Sequence, residues 1–156
     1  MMKILIVILV FVLSNVLILG NHLINTPILV QVLIGMLYMG LVAFFTQWIA
    51  HKYLNPVKSS ALIGLILGVF LQLDIQPKIL ELSVFTVAFG ATFVGMCSSK
   101  YLSPRGVFVA GVLYGLAAIY TLPYTSFIGG AMGTLACLCC LVVINILKII
   151  QWKRGI

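Results

Sequence analysis

The chain has almost no acid. Two of its 156 residues are Asp or Glu, and only 7% carry a formal charge of either sign, against about 25% in an ordinary soluble domain. So few carboxylates leave no pair for general acid and base work, and no proton-relay group deep in an apolar run. No arginine-rich or lysine-rich helix offers gating charges, and no nucleophile stands with a base beside it. The sequence therefore points away from an enzyme, and no cofactor is expected. Polar connecting sequence is also scarce. The longest connection lies around residues 51–55, which excludes a soluble domain and places any function within the apolar segments, at their ends, or with partners.

What remains is 63% hydrophobic sequence. Its apolar runs have the length of membrane-crossing helices, since about 20 residues span a hydrocarbon core of about 30 Å. A transmembrane barrel would instead show segments of about 10 residues with alternating polarity. The expected fold is an all-α, polytopic integral membrane bundle, a single domain over residues 1–156. Six spans are read, at 4–20, 27–50, 56–73, 77–98, 104–122 and 125–150. The first follows Lys3 and resembles a secretory signal, but Val12 and Ser14 make a poor cleavage site, and it is read as a retained helix.

Each proline stands at the start of a span: Pro27, Pro56, Pro77, Pro104 and Pro123. Proline suits the first helical turn, where its missing N–H costs nothing. Thr26, Asn55 and Ser103 precede three of them as N-caps.

Charge sets the orientation. In a six-span arrangement Lys3, Lys52, Lys58, Lys100, Arg105, Lys148, Lys153 and Arg154 share one side, leaving Lys78 on the other with Asp74 and Glu81. The positive-inside tendency puts that side, with both termini, in the cytoplasm, and the expected location is the cell (inner) membrane. Trp48, Tyr53, Tyr101 and Trp152 lie near the same face, as an interfacial aromatic belt does. The net charge of +7 is read as this membrane signature, with no nucleic-acid partner.

A phrase is written twice. Lys52-Tyr53-Leu54 and Pro56 match Lys100-Tyr101-Leu102 and Pro104, and a one-residue gap then aligns Lys58 with Arg105, Gly64 with Gly111 and Gly68 with Gly115. Upstream, Ala43 and Phe45 match Ala91 and Phe93. This predicts a parallel duplicated helix hairpin, about 27–76 and 77–122, with its pseudo-symmetry axis along the membrane normal. The second helix of each copy carries GxxxG, and Gly129 and Gly133 form another such pair in the last span. Gly130, Gly133, Cys137 and Cys140 also make a small-residue stripe there. Such spacing lets helix backbones approach closely in lipid, within one subunit or between subunits.

The candidate chemistry is sparse. Lys52, Lys58, Lys100 and Arg105 in the two basic turns serve topology, and the sharper expectation is a site for a lipid phosphate or anionic solute. Cys97, Cys137, Cys139 and Cys140 are read as small packing residues, because charging thiols in apolar surroundings is unfavourable, and no metal site is expected. His22 and His51 fall at opposite faces. Neutral polar residues within the spans, Asn15, Gln31, Gln47, Thr86, Thr92, Thr134 and Asn145, bond between helices or line a narrow path, with Gln47, Thr92 and Asn145 the path candidates.

Two functions follow. A transporter or channel for a small solute or ion, or a subunit of one, is placed first, because a duplicated architecture often creates a path at the repeat interface. The alternative is a non-transporting subunit that binds and positions a larger membrane partner or lipid; a homo-oligomer is the other expected assembly, and it leaves transport first. A hydrated cavity reaching Thr92 or Asn145 favours the first. Solid packing with one exposed small-residue face favours the second.

Overall fold

The computed structural model describes residues 27–72, 78–79, 82–121 and 128–153. The expectations for the span at 4–20, for Thr26, Pro77 and Pro123, and for Asn15, His22, Asp74 and Glu81 lie outside them. The described residues form α1 (Ile28–Lys52), α2 (Pro56–Gln72), β1 (Lys78–Ile79), β2 (Leu82–Ser83), α3 (Val84–Gly95), α4 (Pro104–Thr121) and α5 (Ile128–Lys153). Three helices, α1, α4 and most of α5, are long and apolar enough to cross a membrane. The chain is a helical membrane protein.

Proline and its neighbours set several of these ends. Pro56 and Pro104 are the first residues of α2 and α4. Ser103 caps α4 by accepting the Gly106 N–H at 3.3 Å, while its carbonyl takes the first helical bond from Val107. At α1 the cap is Pro27 itself, whose carbonyl accepts from Val30 and Gln31.

The fourth span differs from expectation. Residues 77–98 read as one apolar helix, but the chain pairs Lys78 with Ser83 and Ile79 with Leu82 in a short antiparallel ladder before α3 begins at Val84. α3 then ends at Gly95, after 12 residues. It rises about 18 Å, well short of a hydrocarbon core. Gly95, its last residue, packs on α1: a Cβ there would overlap the Thr46 side chain and meet the Ala43 carbonyl at 2.6 Å.

α3 is the enclosed helix. Nine of its 12 residues are buried, from Val84 to Gly95, and α1, α2, α4 and α5 all pack on it. α1 and α4 form the tightest seam. Gly111 sits against the Met39 carbonyl and Ala43, Gly115 against Met36 and Met39, and Gly40 against Phe108 and Val112. Buried Met39 and Ala43 meet the α4 glycines in close van der Waals contact, which drives association where lipid removes most of the hydrophobic incentive. α2 joins α3 through a polar contact: Thr92 donates to the Phe89 carbonyl at 2.7 Å, so Ser60 must be the donor in the 2.8 Å Ser60–Thr92 bond.

α5 packs by one stripe only. Met132, Ala136, Cys139, Cys140 and Val143 face the core, at the i, i+4, i+7 spacing of one helix face. Its opposite face carries exposed Leu138, Leu141, Val142 and Ile146.

One buried hydroxyl of α4 is left unpaired among the described residues. The Tyr114 hydroxyl, on a fully buried residue, has no hydrogen-bond partner among the described residues, and it lies so close to Gly90 that a Cβ there would overlap it. An orphaned buried hydroxyl costs about 1–3 kcal/mol. Tyr114→Phe should therefore raise stability by about 1 kcal/mol, read as a higher Tm for the purified protein in detergent; a lower Tm would mean that the hydroxyl has a partner.

Candidate functional site

The polar features of the described bundle gather at the end of α1, where the repeated phrase lies. α1 closes with Tyr53 and Leu54 both donating to the Ile49 carbonyl, and Asn55 then offers its own carbonyl to Ser59 to start α2. The equivalent connection, residues 96–103, is longer because α3 stops early. It winds through two tight turns, Met96 to Phe93 and Cys97 to Val94, then Tyr101 and Leu102 to Ser98. The two copies of the phrase thus occupy unequal connections. Leu102 is buried, whereas Leu54 is half-buried.

Gln47 holds the two connections together. Its Nε2 donates to the Cys97 carbonyl at 3.1 Å and to the Leu102 carbonyl at 3.0 Å. Both facing groups are acceptors, so the amide orientation is fixed: the nitrogen faces the carbonyls and Oε1 faces away. The residue is 3% exposed, and Oε1 has no partner among the described residues.

Two recesses flank this point and share Ala50 and His51. One, of about 270 Å³, is lined by Gln47, Cys97, Ser98 and Ser99 among others. The second, of about 320 Å³, is lined by Lys52, Tyr53, Asn55 and Lys58. Lys52 Nζ lies 5.5 Å from the Trp48 ring and 5.3 Å from the Tyr53 ring, within cation–π range.

Of the four expected anion-binding cations, Lys52 and Lys58 line one recess, while Lys100 and Arg105 line neither. Lys100 lies 5.9 Å from the Tyr101 ring, and Arg105 is exposed on the first turn of α4. The path candidates are also separated. Thr92 is fully buried in its bond with Ser60, Gln47 braces the turn, and Asn145 is exposed on α5. Neither recess is lined by Thr92 or Asn145. Thr134 bonds back to its own helix, at the Gly130 and Ala131 carbonyls.

The glycines divide sharply. A Cβ on Gly64 would strike the Phe89 ring, and Gly111 and Gly115 face α1 backbone, whereas among the described residues Gly68, Gly130 and Gly133 have nothing within 4 Å. Gly129 lies in the first turn of α5. The small-residue stripe is narrower than its spacing implied, because Cys140 turns inward and places its Sγ 3.9 Å from the Val94 carbonyl, while Cys137 is exposed. All four cysteines are free, and no group of three or more potential metal ligands occurs among the described residues.

Sequence reasoning missed two contributors, His51 as the wall common to both recesses and Ser60 as the donor to Thr92. The second had a visible signal, a hydroxyl in an apolar helix opposite another. The first had none, because it depends on where α1 ends. No protein-family model, no curated protein and no solved structure matches this chain, so its function is read from its own residues.

Proposed function

We propose that the chain is a non-transporting membrane subunit whose α5 packs, through its open small-residue face, against a larger membrane partner. The observation that carries this reading is the pair Gly130 and Gly133. Glycine in a helix interior costs about 1 kcal/mol relative to alanine, and most glycines of α1, α3 and α4 repay it through a tight neighbour. Among the described residues Gly130 and Gly133 have no such neighbour. We read their use as contact with a partner, where a second helix can approach backbone to backbone.

Two further features support it. The most apolar stretch of α5 is 22% buried, against 39% in α1 and 44% in α4. Transport would ask for polar groups along a continuous path, and Gln47, Thr92 and Asn145 instead serve three separate surroundings. The reading keeps six spans, a duplicated hairpin, and cytoplasmic termini in the cell membrane. Reciprocal packing favours the duplication: the second helix of the later copy lies on the first helix of the earlier one at Gly111 and Ala43, and the converse pair meets at Gly64 and Phe89.

The test is native mass spectrometry of the protein released gently from its own membrane. The wild-type chain should carry a larger membrane protein at fixed ratio, and Gly130→Leu with Gly133→Leu should release it while changing Tm little. A monomer or a homo-oligomer without other protein would sink the reading.

A further inference from the structure

The two recesses at the end of α1 present opposite needs to one molecule. In the larger, Lys52 and Lys58 supply two positive charges beside the Asn55 amide and His51. Among the described residues no carboxylate lines either recess. In the smaller, Gln47 has committed both amide hydrogens to the Cys97 and Leu102 carbonyls. Its buried Oε1 can only accept, and among the described residues it accepts nothing. Such an atom asks for a donor, since an unpaired buried acceptor costs free energy that a ligand N–H or O–H recovers.

We propose that the joined recesses bind one phosphate-bearing molecule, with its phosphate beside Lys52 and Lys58 and a hydroxyl or amine donor reaching past His51 to Gln47 Oε1. Shared Ala50 and His51 make the recesses neighbours, so one small molecule can span them. Lysine is a point-charge partner for phosphate, and the exposed aromatics Trp48 and Tyr53 alongside are side chains suited to headgroup depth. The chemistry fits a phospholipid headgroup that carries a donor, and equally a soluble phosphorylated polyol. This inference is independent of the partner on α5.

The full chain, purified in detergent, is titrated with phosphatidylglycerol, phosphatidylcholine, glycerol phosphate and inorganic phosphate, with binding read by native mass spectrometry and by Tm. Phosphatidylglycerol has a phosphate and hydroxyl donors, and phosphatidylcholine has the phosphate without a donor. Phosphatidylglycerol should bind selectively, and Lys52→Gln with Lys58→Gln should weaken it about thirtyfold, given the usual attraction of about 1 kcal/mol per basic residue. Lys148→Gln, outside both recesses, should leave it unchanged. If glycerol phosphate shows the same dependence on the two lysines, the site stands and its source is soluble. Phosphatidylcholine binding as tightly as phosphatidylglycerol would overturn the acceptor role of Gln47 Oε1, and an unchanged affinity in the double variant would overturn the site.

Discussion

Gly111→Leu should destabilise the bundle by about 3 kcal/mol or more, the upper end of what overpacking costs. A Cβ at this position would come within 2.8 Å of the Met39 carbonyl oxygen and 2.9 Å of Gly40 Cα. Those are backbone atoms of α1, which cannot swing aside as the tip of a flexible side chain can. Even Gly111→Ala requires the α1–α4 seam to part, and the contacts of Gly40 and Gly115 would loosen with it. Gly68→Ala is the matched control, because nothing lies within 4 Å of the added carbon. There alanine should be neutral or stabilising by up to about 1 kcal/mol through its better helix propensity. Thermal unfolding of both variants in the same detergent checks the contrast, and equal Tm shifts would show that close approach at Gly111 is not what holds the seam.

Gln47→Leu should cost about 3 kcal/mol, because it strips the donor from two carbonyls, each worth about 1–3 kcal/mol if left unsatisfied. Leucine fills a similar volume, so the loss is polar and not a cavity effect. Gln47→Glu should be worse than leucine: an ionised carboxylate has no hydrogen to offer and would direct negative charge at both carbonyls. The turn at residues 96–103 should open first, seen as faster amide hydrogen exchange at Cys97 through Leu102 than elsewhere in the bundle. Exchange that rises uniformly along the chain would instead make Gln47 a general packing residue.

How much of this was legible in advance depends on the kind of signal. Proline and its preceding residue marked the starts of α2 and α4, and Ser103 caps as its side chain allows, because capping is a local interaction. The span at 77–98 was misread for the opposite reason. Apart from Lys78 and Glu81 its sequence is largely apolar and fits a buried strand or helix equally well, so periodicity alone did not mark the ladder at Lys78 to Ser83. Gln47 was visible as a polar residue in an apolar run, but nothing local told that it would meet the carbonyls of a turn about 50 residues later. The glycine spacing behaved similarly. It marks faces on which helices can meet, and only the fold separates Gly111, which has a neighbour, from Gly133, which has none.

The brevity of α3 bears on how it is held in place. A helix of 12 residues is too short to partition across a bilayer by itself, whatever its polarity, and this one is enclosed by the other four. On its own length α3 does not cross a bilayer, so its place in the protein is set by packing against α1, α2, α4 and α5.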